Sequence, residues 1–142
     1  EAFAAIAFSG VVTLVIITQG VLMLEPWHSP REMISLAGMI FANAMNAVSL
    51  AGERFASERR GGAGYLAARN IAMNAALIPL NNTMLAVGLV SLPGMMTGQL
   101  LAGASPLVAA RYQIMVMAMV FGSGGIAAAI YLRLQRESGQ RA

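Results

Sequence analysis

The sequence predicts an all-α fold, a polytopic membrane helix bundle of about four transmembrane helices, with a broken or re-entrant segment among them. Three observations lead to this prediction. Of the 142 residues, 58% are hydrophobic and only 11% are charged, whereas a soluble domain carries about a quarter charged residues. The apolar residues form long runs, and prolines with glycines interrupt the later ones. The length allows a single transmembrane domain, residues 1–142.

The first two predicted spans differ in character. Residues 2–24 carry no charge and are long enough to cross about 30 Å of hydrocarbon. Two prolines and Trp27 mark a short interfacial loop over residues 25–32. The second span, residues 33–51, carries Asn43 and Asn46 among small residues. Such residues suit contact between helices better than contact with lipid.

The later part of the chain alternates polar and apolar stretches. Residues 53–64, reading ERFASERRGGAG, are the most polar stretch and are predicted to be exposed to solvent. A third span begins at Tyr65, and Pro79 near its middle should kink or break that helix. Pro93 and Gly94 interrupt apolar sequence and predict a re-entrant or broken segment. The last span covers residues 113–132.

The arginines orient these spans. Those that follow the second span and those in the tail fall on the same side of the membrane, which the positive-inside rule makes cytoplasmic. The loop around Trp27 and the connection around Ser105 then face outward. The predicted topology is therefore self-consistent.

Several function classes are excluded by missing residue types. All nine basic residues are Arg, all six acidic residues are Glu, and Asp, Lys and Cys are absent. Without lysine there is no Walker A phosphate-binding residue, and without cysteine there is no thiol nucleophile or thiolate ligand. An intramembrane hydrolase is excluded because no Ser-His-Asp set or paired carboxylates fall within the spans. The net charge of +3 does not indicate nucleic-acid binding, since the arginines flank apolar segments instead of forming a patch.

Three segments resemble a known family. They are AGMIFANAMNAVSLAGERF at residues 37–55, AALIP at 75–79, and VGLVSLPGMMTGQLLAGASPLVAARYQIMV at 87–116. Together they closely resemble the FetB-type permeases, a family of bacterial ABC transporters identified as iron exporters. The similarity runs from about residue 24 to 134, which is most of the chain.

The resemblance implies a function and its partners. The chain would be the membrane-spanning permease subunit of an ABC transporter in the bacterial cytoplasmic (inner) membrane, exporting a metal ion such as iron. It would form a homodimer and work with a separate ATP-binding cassette subunit, where ATP and Mg²⁺ bind, and it would be no enzyme and hold no cofactor itself. Plant relatives are linked with aluminium tolerance and nucleotide-sugar transport, so the substrate does not follow from the family.

Family members are longer than this chain, so we expect further spans to precede Glu1. The family also resembles ABC importers in a cytoplasmic coupling element before AALIP, which here is shortened to residues 61–65. By resemblance the contact with the ATP-binding subunit falls at the end of the second span and the start of the third. The predicted contact residues are Arg54, Arg59, Arg60 and Tyr65.

Two interpretations of the polar residues within the spans stay open. Amide and hydroxyl groups beside a helix-breaking proline would line a substrate path, or they would bond a neighbouring helix without any substrate. The candidate path residues are Asn43, Asn46, Asn81, Asn82, Thr83, Met95 and Met96. The candidate gate or hinge residues are Pro79, Pro93 and Gly94.

A metal-ligand set is not fixed by the sequence. Five of the eleven methionines, Met39, Met45, Met84, Met95 and Met96, offer thioethers that suit soft ions such as Cu(I), although methionines in membrane helices commonly serve as flexible packing. A weak divalent site formed by Glu25, His28 and Glu32 in the outward loop is the other option, against simple interfacial snorkelling of these side chains.

Two other functions remain as alternatives. A channel or ion-coupled transporter would use the interrupted third span, but coupling commonly relies on intramembrane carboxylates or histidines, and the predicted spans hold none. A non-transporting assembly subunit would lack an ATPase partner.

Overall fold

The computed structural model describes residues 1–22, 30–89 and 94–138, with the side chains of 30–32, 87–89 and 137–138 left out. These residues form helices, and no strand occurs among them, which confirms the all-α prediction. The helices are α1 (Ala2–Val15), continued by a π-helical segment (Ile16–Val21), α2 (Pro30–Arg60), α3 (Tyr65–Leu89), α4 (Gly94–Leu101) and α5 (Pro106–Ser138).

Helices α2 and α5 form the central pair of the bundle. Both α1 and α3 pack against each member of this pair, and the short α4 packs against α5. Helices α1 and α3 begin at the end of the bundle where α2 and α5 finish. Two hydrogen bonds establish this: Gln135 Nε2 donates to Glu1 Oε2 at 2.9 Å, and the Tyr65 hydroxyl donates to the Leu132 carbonyl at 2.7 Å. We call this end the arginine end because α2 and α5 carry arginines there.

Small residues allow the helices to approach closely. Lipid gives helices no hydrophobic reason to associate, so short side chains that bring backbones together increase packing contacts. Helix α3 buries a residue at every fourth position, namely Ala68, Ala72, Ala76 and Leu80. With neighbours on α2 and α5, the first three of these form what we call the alanine cluster: Ala47, Ala51, Phe55, Ala68, Ala72, Ala76, Ala128 and Leu132. This cluster lies toward the arginine end.

A second cluster holds the opposite end together. Ile17, Leu36, Ile40, Val116 and Met119 are buried there, and they come from the π-helical segment, α2 and α5. None of the α3 side chains that the structure describes, residues 65–86, belongs to this cluster. Between the two ends the Ser9 hydroxyl on α1 donates to the Ser123 carbonyl on α5 at 2.8 Å in a buried position.

The two tight turns end their helices in the same way. At the end of α2, Gly62 has a φ of +87°, and the amides of Gly62 and Ala63 donate to the carbonyls of Arg59 and Glu58. This is the Schellman pattern, in which a left-handed glycine lets the last carbonyls of a helix be satisfied. Gly103, with a φ of +88°, closes α4 identically. Gly62 and Gly103 thus turn the chain after the ends of α2 and α4.

Within the described residues, three helices are long and apolar enough to cross a membrane: Ala2–Val21, Met33–Arg60 and Pro106–Arg136. Helix α3 has the length but carries an arginine and four asparagines, and it packs as the fourth long helix of the bundle. Many large apolar side chains on these helices are exposed, including Phe3, Phe8, Val15, Ile34, Ile78, Leu85 and Ile114. Such a surface fits lipid, since soluble monomers rarely expose large apolar patches.

The chain does not leave the helix at Pro79. Helix α3 runs through this residue to Leu89, so a break there, one of the two outcomes expected from the sequence, is wrong. Proline removes only one donor from the ladder, and beyond it the Thr83 hydroxyl donates to the Pro79 carbonyl at 2.9 Å. The description of α3 reaches Leu89 and helix α4 begins at Gly94, so the break predicted at Pro93 lies outside the described residues.

Candidate functional site

A cavity of about 190 Å³ lies between α2, α3 and α5, and we call it the polar cavity. It lies away from the arginine end, since Thr83 is 18 residues beyond the first residue of α3, about 27 Å along a helix. It is lined by Met39, Asn43, Leu80, Thr83, Met84, Gln113, Val116, Met117, Val120 and Phe121.

The polar side chains of this cavity leave three oxygen atoms available as hydrogen-bond acceptors. The Asn43 amide nitrogen donates to the Met39 carbonyl at 2.8 Å, which leaves the side-chain oxygen available. The Thr83 hydroxyl proton goes to the Pro79 carbonyl, which leaves the oxygen lone pairs available. Gln113 is 9% exposed, and its buried Oε1 has no hydrogen-bond partner among the described residues. The cavity therefore offers hydrogen-bond acceptors to an occupant.

A smaller space of about 160 Å³, the α2–α3 groove, adjoins the polar cavity. The two spaces share Asn43, Leu80 and Thr83 as lining residues. The groove is lined further by Asn46, Ala47, Leu50, Ala76 and Pro79. Because Asn46 lies closer to the arginine end than Asn43, the groove extends the polar lining in that direction.

Three of the predicted path residues meet in these spaces, and four do not. Asn43, Asn46 and Thr83 line the α2–α3 groove, as the shared helical face of the two asparagines predicts. Asn81 and Asn82 are exposed on α3 and line neither space. On α4, Met95 packs against the second cluster and Met96 is half-buried, and neither lines the two spaces. Their transport roles stay predictions.

Other predicted positions fall at or beyond the edge of the described residues. Gly94 is the first residue of α4, and Pro93 lies outside the described residues. The loop residues Glu25 and His28 also lie outside them, and Glu32 belongs to α2 without a described side chain. Among the residues that the structure describes, no group of three or more His, Cys, Asp or Glu side chains is placed to hold a metal ion.

Gln113 and Met117 are site residues that sequence reasoning missed. Both sit on α5, four positions apart, so they lie on one face of the helix. Met39 with Asn43, and Leu80 with Met84, repeat the same spacing on α2 and α3. This spacing places each pair on one face of its helix, but the sequence gives no signal that the three faces meet.

At the arginine end, Tyr65 is an anchor between helices. Its hydroxyl bonds the Leu132 carbonyl, and its ring meets Phe55 edge-on with centroids 5.8 Å apart. Around it Arg59 donates to the Ala63 carbonyl, and Arg60 donates to Ala56. Tyr65 therefore has a structural role that its predicted contact with a partner subunit did not include.

The predicted contact arginines are all exposed at this end. Arg54 pairs with Glu58 at 2.8 Å one turn along α2. Two clefts of about 560 and 790 Å³ flank Tyr65 and share Arg136. Arg69 and Arg133 line the first cleft, and Arg59 lines the second. This end therefore presents a positively charged surface to a solvent or a partner.

Comparison with known proteins gives a consistent result. The profile of the Uncharacterised protein family (UPF0014) matches residues 1–66 and 64–138. The chain is 44% identical to UPF0014 membrane protein slr1647 of Synechocystis, over 70% of this chain and 45% of that protein. It is 40% identical to the Probable iron export permease protein FetB of Escherichia coli, over 71% of this chain and 45% of that protein.

A plant protein is also similar. The chain is 35% identical to Protein ALUMINUM SENSITIVE 3 of Arabidopsis thaliana, over 69% of this chain and 41% of that protein. The chain thus spans about half the length of the curated relatives it matches. No solved structure matches it. The two profile matches meet at residues 64–66, beside the turn where the sequence analysis expects a shortened coupling element.

Proposed function

Because the chain belongs to the UPF0014 family of membrane proteins, we propose that it is the permease subunit of an ABC transporter that exports a metal ion. The observation that carries this proposal is the 40% identity to a relative named as a probable iron export permease. A separate ATP-binding cassette subunit, holding ATP and Mg²⁺, would supply the energy, since the chain has no lysine for a Walker A motif. The complex would lie in the bacterial cytoplasmic membrane.

The arginine end is the surface that we propose for the ATP-binding subunit. Arg54, Arg59 and Arg60 are exposed where α2 finishes, and the Gly61–Gly64 turn projects beside them. The positive-inside rule makes this end cytoplasmic, which is where ATP is available. Tyr65 ties the turn to α5, so a force on the turn would pass into the bundle through its bond to Leu132.

The polar cavity and the α2–α3 groove would form part of the transport path.

Packing supports a hinge at Pro79. The first half of α3 lies in the alanine cluster, whereas residues 81–83 and 85–86 beyond Pro79 are exposed. Proline also leaves the carbonyl four residues earlier, that of Ala75, without its ladder donor. The second half of α3 is therefore the part that would move to open the cavity.

A second copy of the chain would pack against α2. One stripe of this helix is exposed yet made of small or polar residues: Ser35, Gly38, Ala42, Asn46, Ser49 and Glu53. Turning by 100° per residue keeps all six within a narrow face of the helix. Lipid is a poor solvent for such a face, whereas small residues at intervals of four suit close helix contact. The homodimer expected for an ABC permease would bury it.

Co-purification tests the permease proposal. The full-length protein is extracted from its native membrane in mild detergent, the accompanying chains are identified by mass spectrometry, and ATP hydrolysis is measured. We expect a stoichiometric ATP-binding subunit. Arg60→Glu should release this subunit, because it reverses a charge at the proposed contact. Arg111→Glu is the matched control, since Arg111 is exposed near the start of α5, at the opposite end.

The outcomes separate the proposed function from its alternatives. Recovery of an ATP-binding subunit that Arg60→Glu releases and Arg111→Glu retains supports the proposal. Equal loss of the ATP-binding subunit from both variants would show that the arginine end is not the specific contact. A pure preparation without any ATP-binding chain would contradict the permease function and favour a channel or an assembly subunit.

A further inference from the structure

We propose that the polar cavity is a binding site for a soft monovalent metal cation of the Cu(I) class, held by thioether sulfurs and amide oxygens. This deepens the proposed function, on which it rests, by naming the class of ion that this part of the path accepts. The inference comes from the lining residues, their hydrogen bonds and the charge of the site.

Three helices each contribute one methionine to the lining. Met39 comes from α2, Met84 from α3 and Met117 from α5, and all three are half-buried. Because they lie on separate helices around one space, their sulfur atoms can approach an ion from different directions. Thioethers are soft ligands that select Cu(I) over hard cations. The same three positions filled by leucine would pack equally well but offer no ligand.

The polar groups supply oxygen ligands for a cation. The protons of the Thr83 hydroxyl and of one Asn43 N–H are used in bonds to backbone carbonyls, which leaves oxygen atoms for the cavity. The Oε1 of Gln113 is buried without a partner among the described residues. A buried acceptor without a partner destabilises the protein, because it has lost its hydrogen bond to water. A cation in the cavity would satisfy it.

The charge of the site favours a monovalent ion. None of the ten lining residues is acidic or basic, so no described side chain of the lining compensates the charge of the ion. The cost of moving an ion out of water rises with the square of its charge, so a divalent ion would cost about four times as much as a monovalent ion of the same size. The volume of about 190 Å³ equals about six water molecules at about 30 Å³ each, enough for an ion that keeps some water.

Silver binding tests this site directly. Ag⁺ is the probe, because it shares the charge and softness of Cu(I) and needs no reductant. The full-length protein in detergent and chloride-free buffer is titrated with silver nitrate in a calorimeter, and this chain contributes no cysteine that would compete. We expect one tight site. Met39→Leu, Met84→Leu and Met117→Leu should each weaken it at least tenfold, and the triple variant should abolish it.

Met45→Leu is the matched control. Met45 sits on α2 near Met39 but is 55% exposed and does not line the cavity. This substitution removes a thioether from the same helix and should leave silver affinity unchanged. Thermal unfolding of every variant establishes that leucine preserves the fold, as volume-conserving exchanges usually do.

The results decide the proposal. A tight site retained in the triple variant, or an equal loss in Met45→Leu, would overturn the assignment to this cavity. Tighter binding of Fe²⁺ than of Ag⁺ at the same site would overturn the class of ion. These outcomes are independent of the co-purification experiment: an ATP-binding partner without silver binding leaves the permease function intact and removes this site. Silver binding without an ATP-binding partner keeps this site and removes the permease function.

Discussion

Substitution of Gly124 by alanine tests how tightly α3 and α5 are packed beside the polar cavity. A Cβ at this position would lie 2.9 Å from Leu80 Cδ1 and 3.5 Å from the Ala47 Cβ. Carbon atoms in contact normally lie about 3.5–4.0 Å apart, so Leu80 must move by roughly 0.6–1 Å. The contact with Ala47 needs no adjustment.

The expected cost follows from what Leu80 can do. Overpacking a closely packed interior costs about 1–3 kcal/mol. Leu80 lines both the polar cavity and the α2–α3 groove, so its side chain has space to move into. We therefore expect the lower part of that range, about 1–2 kcal/mol. The displaced side chain should also narrow the cavity and weaken silver binding.

Gly122→Ala is the control for this prediction. Gly122 lies two residues away on α5, and a Cβ there would meet nothing within 4 Å. Both substitutions gain the same helix propensity, up to about 1 kcal/mol, so the difference between them isolates the clash. Denaturant unfolding in mild detergent, followed by circular dichroism, measures this difference.

A double variant identifies the clashing partner. In Gly124→Ala combined with Leu80→Val, the shortened side chain should relieve the contact. The double variant should therefore lose less stability than the sum of the losses in the two single variants. Equal stability of Gly124→Ala and Gly122→Ala would refute the described approach of the helices. Strict additivity in the double variant would show that Leu80 is not the group displaced.

Three further predictions concern single contacts. Tyr65→Phe should destabilise the protein by about 0.5–1.5 kcal/mol in unfolding measurements, because it removes the bond to the Leu132 carbonyl and keeps the ring. Ala42→Cys lies on the exposed stripe of α2 and should give an oxidation-dependent dimer on gels. Ile114→Cys, on an exposed apolar face of α5, should not. A monomer in both variants would contradict the packing of a second copy on α2. Gln113→Leu should weaken silver binding without lowering the melting temperature of the metal-free protein, since Gln113 Oε1 has no partner to lose among the described residues. A large fall in melting temperature would mean that Gln113 makes a bond that stabilises the fold.

The fold followed from the sequence where length and charge were decisive. An uncharged run such as residues 2–22 has one stable arrangement in lipid, a helix that satisfies its own backbone. Arginines at the ends of α2 and α5 predicted that these ends lie on the same side of the membrane, and the bond from Tyr65, after the turn that follows α2, to Leu132 on α5 lies at that end. The continuity of α3 through Pro79 was not predictable, because packing on both sides of a proline decides whether one lost donor breaks a helix.

The candidate site was only partly predictable for a related reason. Helical periodicity places Asn43 and Asn46 on one face, and both line the α2–α3 groove. Periodicity within one helix does not tell which faces of three helices meet, so Gln113 and Met117 had no visible link to Met39. That link depends on small residues such as Gly124, which set how near α5 comes to α3.

The position of the polar cavity reflects a division of packing within the bundle. Near the arginine end, α3 is held by alanines at every fourth position and by Tyr65, so its first half is fixed against α2 and α5. Beyond Pro79 that alanine repeat stops, and the cavity takes its place. Side-chain atoms that filled part of this space would add packing contacts between the three helices and stabilise the bundle. Leucine at Gln113 or Thr83 would recover part of this gain and would also remove the buried acceptor of Gln113. A sequence that keeps amides, a hydroxyl and three methionines around this space therefore gives up stability there, which is the expected signature of a site that must accept and release an occupant.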